Sequence, residues 1–339
     1  MTGVVDLFAG AGGWDLAARE LDIDPVGIEL DAAAIATRHA AQLPTIRADL
    51  HGYPPRPSDG LIASPPCPAF SAAGNREGLA DIGRLQRTVA DPARLATEPD
   101  DGWNDSTSGL IVQTARWAHH ADQWVTLEQV PAVLPVWQAL AHGLKQAGWR
   151  TAWTGVLNAA DYGVPQTRRR AILIAHRTRR VEPPEPTHTN PTAIKSGDLF
   201  GGDLLPWVSM ADALGWAGRV GFPRRDDRGD SCDGYRERDW FPTAGPAQTV
   251  TEKARSWVLN RPATTIQCDP RVAPPGHRDR AGGERQFPDG TIRVEPWEAA
   301  ALQTFPTCHP WQGTRTAQFR QIGNAIPPLL AHHILGAVQ

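Results

Sequence analysis

The stretch Val4-Val5-Asp6-Leu7-Phe8-Ala9-Gly10-Ala11-Gly12-Gly13-Trp14 decides the reading of the fold. A short β-rich run enters a turn made of glycine and alanine, and a helix-length segment follows from Trp14 to Leu21. Pro25 to Glu29 then reads as a second strand and the Ala-rich stretch Ala32 to Gln42 as a second helix. Strand, turn, helix and strand in this order open a parallel βαβ unit. Glycines let the backbone approach a ligand closely, and the helix N-terminus behind them offers free N–H groups. The spacing is not Gly-x-Gly-x-x-Gly. Glu29 ends the second strand, where a carboxylate reaches ribose hydroxyls, and Asp49 occupies the equivalent place after the third. The pattern suits a nucleotide-like cofactor, or a plain turn in which the glycines only reverse the chain.

Working outward, Leu61-Ile62-Ala63, Trp124-Val125-Thr126-Leu127 and Ala171-Ile172-Leu173-Ile174-Ala175 are further strand-like runs. Helical stretches Gly109–His120 and Trp137–Ala147 lie between them. The first 180 residues therefore predict an α/β domain with a mostly parallel sheet covered on both faces. After His176 the character changes. Pro183-Pro184-Glu185-Pro186 and the Arg/Asp-rich stretch Arg219–Asp239 hold no sustained period, yet Trp207, Trp216, Trp240 and Trp257 predict a small, loop-rich folded unit. One echo, Pro246–Val250 against Pro262–Ile266, is too brief for a repeat architecture. The tail from Ala325 to Val338 is helix-like, with Pro327-Pro328 near its first turn.

Composition bounds the function. The chain has 339 residues, 41% hydrophobic and 21% charged, with a formal net charge of −3, enough for one large domain or two. No apolar run approaches the ~18 residues of a membrane span, and no basic-then-apolar leader opens the chain. Cys67, Cys232, Cys268 and Cys308 lie far apart, without Cys-x-x-Cys or His-Glu-x-x-His. That predicts no disulfide framework, no metal site and a reducing cytoplasm. Residues 1–150 carry 11 Lys and Arg against 18 Asp and Glu, whereas residues 151–293 carry 21 against 17, nearly all the positive charge being arginine. An acidic half joined to an arginine-rich half is compatible with a polyanion partner held by one part of the molecule.

Three further stretches carry chemistry. In Ser64-Pro-Pro-Cys-Pro-Ala-Phe-Ser71 the prolines stiffen the bend and fix where the Cys67 sulfur points. A lone cysteine is usually a small buried hydrophobe, but one ending a parallel strand beside a cofactor crevice is placed for nucleophilic work. Its thiol, with an ordinary pKa of ~8.5, needs activation by its surroundings. Leu127-Glu128-Gln129-Val130-Pro131 puts Glu128 on the same edge of the sheet. In Gln166-Thr-Arg-Arg-Arg170, Arg168 and Arg170 alternate onto one side with Arg169 opposite. Two guanidinium groups beside a thiol and a carboxylate suit phosphate or base recognition.

The ordered set resembles the cytosine-C5 DNA methyltransferase family. The matching blocks are Asp6–Gly13, Glu29, Asp49, Pro65–Ser71, Glu128-Gln129-Val130, Gln166–Arg170, Arg261–Ile266 and Gln321–Pro328. They span almost the whole chain, leaving out about 180–255 and 72–108. The Pro-Pro-Cys block followed by Gly-Asn-Ala-Ile-Pro is the specific combination. The resemblance implies a Rossmann-like S-adenosylmethionine-dependent catalytic domain, residues 1–178 plus 316–339, and a smaller target-recognition domain, 179–315. It implies catalysis by Cys67, Glu128, Arg168 and Arg170 on a cytosine swung out of duplex DNA. It implies cofactor contacts from Phe8, Gly10, Gly12, Gly13, Glu29, Asp49, Pro66, Leu110 and Asn324. The expected protein is a cytoplasmic monomer, with a cognate restriction endonuclease as a candidate partner.

This sequence departs from the family pattern in places. Glu-Gln-Val replaces Glu-Asn-Val, one methylene longer at a structural amide, and Ala73 stands where some relatives have a polar residue near the flipped base. Segment 72–108, rich in charge and glycine, is longer than usual and is expected to be a mobile loop that closes over the base. The competing expectations are a transfer-RNA cytosine-5 methyltransferase, which shares the catalytic blocks but usually carries Cys-Phe-Thr where this chain has Cys232-Asp-Gly, and a catalytically silent DNA-binding protein. A nicotinamide dehydrogenase is disfavoured by the glycine spacing.

Overall fold

The first βαβ unit forms as its pattern predicts. In the computed structural model, which describes residues 3–71, 76–190, 204–216, 218–221, 240–260 and 291–339, β1 (Val4–Leu7) runs into the glycine turn and α1 (Gly13–Glu20). Then follow β2 (Pro25–Glu29), α2 (Ala32–Ala40), β3 (Thr45–Arg47) and β4 (Ser58–Ala63). Asp31 starts α2 as its N-cap, accepting hydrogen bonds from the backbone N–H groups of Ala33 and Ala34. Beyond β4 come α3 (Ile82–Val89), α4 (Pro92–Thr97), α5 (Ser108–His120), β5 (Ala121–Gln129), α6 (Leu134–Gln146), β6 (Thr151–Asn158) and β7 (Arg169–His176).

These strands build one sheet in the order β3-β2-β1-β4-β5-β7-β6, parallel except for β7, which runs antiparallel to both neighbours. The strand order reverses at β1, between β2 and β4, and opens a crevice at the carboxyl ends of the strands. Alternate residues supply two cores, as strand geometry demands. Leu61, Ala63, Val125, Leu127, Ala171 and Leu173 join one cluster with Leu85, Ile111, Trp117 and Trp137 from α3, α5 and α6. Ile62, Trp124, Ile172 and Ile174 face the opposite cluster, with Trp14 and Ala17 of α1 and Leu330 and Ile334 of α10 (Pro328–Val338).

The later part of the chain holds β8 (His188–Thr189), β9 (Leu205–Pro206), α7 (Met210–Leu214), β10 (Arg219–Gly221), β11 (Trp240–Pro242), β12 (Val258–Asn260), β13 (Thr291–Arg293), α8 (Pro296–Leu302) and α9 (Arg315–Asn324). Four of these strands make an antiparallel sheet in the order β11-β10-β12-β13. A third core, containing Met210, Trp216, Val250, Trp257, Leu302, Phe319 and Ile322, joins α7, α8 and α9 to a 3₁₀ turn at Glu252–Ser256. Of the tryptophans that suggested a folded unit, Trp216 and Trp257 are buried in this core, which they share with Phe319 and Ile322 of α9. The Arg261–Ile266 block, Ala73, Cys232, Cys268 and most of the Arg/Asp-rich stretch lie outside the described residues. No helix among the described residues is long and apolar enough to cross a membrane.

The expectation of one mobile loop over 72–108 needs correction. Residues 77–97 form a 3₁₀ turn followed by α3 and α4, and Leu85, Val89 and Leu95 are buried in the first core. The segment's charges are engaged internally. Asp81 accepts from Ser108 Oγ at 2.7 Å and Asn104 Nδ2 at 2.7 Å, Arg116 pairs with Asp100 at 2.7 Å, and Arg84 lies 3.8 Å over the Trp103 ring. Charge and glycine suggested a solvated loop; paired charges on short helices give a packed platform instead.

Candidate active site

The glycine turn is the tightest backbone of the site. Phe8, Gly10 and Gly12 all have positive φ, at 58°, 53° and 97°. Phe8 thereby projects from the end of β1 into the crevice at a conformation that L-residues rarely hold. At Gly12 a Cβ would lie 2.3 Å from Leu43 Cδ1, so this glycine serves packing as well as the turn.

One cleft gathers the residues that the sequence singled out. Phe8, Gly10, Gly13, Glu29, Asp49, Pro66, Cys67, Leu110, Glu128, Arg168, Arg170 and Asn324 all line it. Gly12 does not, which leaves its part to the turn itself. The cleft also contains Trp14, Ser64 and Gln321, which the sequence motifs include without a site role, and Arg320, which they do not include. Trp14 follows the glycine turn directly, and its Nε1 donates to Ser64 Oγ at 2.9 Å, tying α1 to the loop before Cys67. Arg320 pairs with Asp31 at 2.7 Å near the exposed rim.

At the end of β2, the Glu29 carboxylate accepts from Gly10 N at 2.8 Å, Leu30 N at 2.7 Å and Asp31 N at 2.8 Å. Three N–H donors fix its direction toward the cleft. Below the turn, Asp15 and Arg38 form a fully buried two-pronged pair, both bonds 2.8 Å, and Arg38 also donates to Ala9 O. Asp6 sits beside them with no hydrogen-bond donor on either oxygen. Burial, then the Asp15 charge, holds its carboxyl well above the usual carboxylate range.

The opposite wall carries the reactive groups. The loop 64–71 leaves β4, and the Gln129 amide donates to the carbonyls of Pro65 at 2.9 Å and Pro66 at 3.1 Å. The glutamine therefore serves as the structural amide, its extra methylene spanning from β5 to that loop. Cys67 is half-buried. Burial pushes its thiol up; the Arg170 charge opposes this, Glu128 reinforces it and Arg168 opposes it again. Arg170 Nε stands 2.7 Å from Glu128 Oε1, an ion pair whose approach is off the hydrogen-bonding direction, so that oxygen has no hydrogen-bond partner. Arg168 and Arg170 are buried on one side of the chain and Arg169 is exposed, matching the predicted alternation. Arg168 Nη1 donates to Val250 O at 3.3 Å and Gly323 O at 3.0 Å. Burial, then repulsion from Arg170, pulls its pKa down to about 9.

A family model described as C-5 cytosine-specific DNA methylase matches residues 2–200 and 221–339. The chain is 28% identical to the Type II methyltransferase M.AplI of Arthrospira platensis, over 99% of this chain and 85% of that protein. It is 27% identical to the Type II methyltransferase M.Eco47II of Escherichia coli, over 96% and 75%. Among solved structures, the Dnmt2 methyltransferase of S. pombe superimposes over 100% of this chain and 98% of its own, with a TM-score of 0.61 at 14% identity. A prophage-encoded putative DNA modification methyltransferase from E. coli gives 0.54 at 17% identity, over 100% of this chain and 98% of its own. Sheet order and cleft thus define the class, an α/β methyltransferase. The chain belongs to the C-5 cytosine-specific DNA methylase family and is a DNA (cytosine-5)-methyltransferase.

Proposed function

We propose that the protein methylates C5 of a cytosine flipped out of a specific duplex DNA site, through a transient bond between Cys67 and C6, with S-adenosylmethionine as donor. The observation that carries this reading is the convergence of Cys67, Glu128 and Arg170 on one wall of a cleft whose other wall holds Phe8, Glu29 and Asp49. The residues present fit the donor. An aromatic ring at the end of β1 suits stacking on adenine, the fixed Glu29 carboxylate suits the ribose hydroxyls, and Asp49 suits the adenine amine. Pro66, Leu110 and Asn324 complete the pocket, with Gly10 and Gly13 allowing close backbone approach. When bound, the donor supplies an electrophilic methyl group.

The chain's own residues must make C5 nucleophilic. The Cys67 thiolate adds to C6, and the displaced π electrons flow toward N3, where Glu128 hydrogen-bonds or supplies a proton. C5 then bears enamine character and takes the methyl. A base removes the C5 proton, the electrons re-form the C5–C6 double bond, and Cys67 leaves as thiolate. In this reading Arg170 contacts the cytosine O2 while it pairs with Glu128. Burial pushes the thiol up, so Cys67 must pass its proton to water in the cleft before its sulfur attacks C6. Extruding the base costs a few kcal/mol in unstacking and unpairing.

In this reading residues 1–178 with 316–339 carry catalysis, and 179–315 read the DNA. The Type II methyltransferase names of the relatives support a DNA-modification role; a cognate restriction endonuclease as partner, a cytoplasmic location and a monomeric state complete the proposed reading. Incorporation of labelled methyl into duplex DNA and into transfer RNA, compared side by side, tests the substrate. The account expects duplex DNA alone to be labelled at C5, and labelling of transfer RNA alone overturns it. Bisulfite sequencing of a host genome expressing the protein then reads the target site.

A further inference from the structure

Behind the cleft wall that carries Arg168 lies a buried polar joint between the two parts of the chain. Gln166 is fully buried, and its amide donates to Leu302 O at 3.1 Å and Gln303 Oε1 at 3.2 Å. Its Oε1 accepts from Val250 N at 2.7 Å. Gln303, also fully buried, donates to the Ile322 carbonyl. Val250 is therefore gripped at both ends, its N–H by Gln166 and its carbonyl by Arg168. The adjacent carbonyls of Ile322 and Gly323 are likewise divided between Gln303 and Arg168. Backbone pairing reinforces the join, with Ala247 N donating to Pro165 O at 2.9 Å and Thr167 N to Ala247 O at 2.8 Å.

Such a network is all-or-none. A buried amide is cheap when fully paired and costly when one partner slips, so apolar packing would serve adhesion alone equally well. What the amides add is registry. Segment 247–250 cannot shift without breaking the Gln166 bond and the Arg168 bond together. Arg168 in turn lines the cleft with Cys67, and its buried Nε has no hydrogen-bond partner.

We propose that Gln166 and Gln303 are positioning residues that make the placement of Arg168 beside Cys67 conditional on the seating of segment 247–250, so that engagement of DNA by the later part of the chain is reported at the thiol. The proposal rests on the function argued above and adds a route from recognition to catalysis.

The test uses the full-length protein with Gln166→Met, Gln303→Met and the double variant. Methyl transfer to duplex DNA is read at saturating donor, and donor and DNA dissociation constants are measured separately. Each single variant is expected to lose at least tenfold in kcat, with the donor Kd within twofold and the DNA Kd within threefold of the unsubstituted protein. The double variant should be no more than threefold worse than the poorer single, because residues acting as one unit are not additive. Leu144→Ala, which opens the first core on α6 and touches no residue of the joint, supplies a variant of comparable thermal loss and should keep kcat within twofold. A readout independent of methyl transfer is alkylation of Cys67, followed by mass of its peptide. Misplacing Arg168 should move the alkylation profile to higher pH. Should Gln166→Met fail to fold, Gln303→Asn, too short to reach Ile322, is expected to show the same kcat loss and pH displacement. Unchanged kcat and an unchanged alkylation profile in folded variants overturn the proposal, as do equal losses in Leu144→Ala or effects that multiply in the double variant. An unsubstituted protein that labels no DNA overturns the proposed function instead, and the alkylation profiles still decide the joint.

Discussion

Gly323→Ala separates two opposite expectations. Gly323 lies in the last turn of α9, where alanine is the better helix former by about 1 kcal/mol. On propensity alone the substitution should stabilise. The structure predicts the reverse. A Cβ at this position would sit 2.6 Å from Glu252 N, 2.6 Å from Thr251 C and 2.7 Å from Thr251 Cα. Ordinary contact begins at 3.4 Å, so backbone must part from backbone by about 0.8 Å. Overpacking of this kind costs roughly 1–3 kcal/mol. The same displacement strains the 3.0 Å bond from Arg168 to Gly323 O, and a hydrogen bond to a charged group is worth about 1.5–3 kcal/mol. Set against the helix gain, the net loss is about 2 kcal/mol, which for a chain of this length is a fall in melting temperature of roughly 3 °C. The assay is thermal unfolding by calorimetry alongside single-turnover methyl transfer, which should slow because Arg168 is displaced. A melting temperature unchanged or raised, with normal turnover, would refute the claim that this glycine is a spacer between α9 and the turn at Glu252–Ser256.

Other predictions address separate parts of the site. Glu29→Gln keeps an oxygen for Leu30 and Asp31 but turns a donor toward the Gly10 N–H; donor affinity by calorimetry should fall at least tenfold, about 1.4 kcal/mol, while DNA affinity holds. An unchanged donor Kd would place the donor elsewhere. Glu128→Gln should lower kcat by orders of magnitude with little change in donor Kd, and a mild defect would demote the residue to packing. His309 is buried against Phe305 and Trp311, and that burial pulls its pKa down from 6.5 to about 4. Below pH 6.5 the unfolded chain takes up a proton that the folded chain refuses, so stability falls as pH drops from 6.5 toward 4, by up to about 3 kcal/mol. His309→Phe should flatten denaturation midpoints across that window; an equally steep dependence would assign the effect to other groups.

The sequence made the sheet's central strands legible because residues buried on both faces read as continuous apolar runs. The edge strand β6 escaped notice, since Thr151–Asn158 mixes polar and apolar residues along a half-covered strand. The antiparallel sense of β7 was also invisible, because side-chain period carries no direction. Glu29, Asp49, Cys67 and Glu128 were reachable through residue type and position after a strand, whereas Leu110 on α5 and Asn324 on α9 were implied only by the family resemblance. The helices over 77–97 were hidden by charge, which the fold uses in internal pairs. The partners of Arg168 could not be anticipated for a different reason. They are backbone carbonyls of Val250 and Gly323, and a carbonyl leaves no mark in residue identity.

The most direct measurement is on DNA carrying 5-fluorocytosine at the target position, mixed with the protein and donor. Fluorine cannot leave as a proton does, so the reaction should stop with the base bonded to the enzyme after methyl transfer. The account predicts a denaturation-resistant complex whose peptide mass places the link on Cys67, absent in Cys67→Ser. A folded, donor-binding protein that forms no such complex, or one linked through another residue, would contradict it.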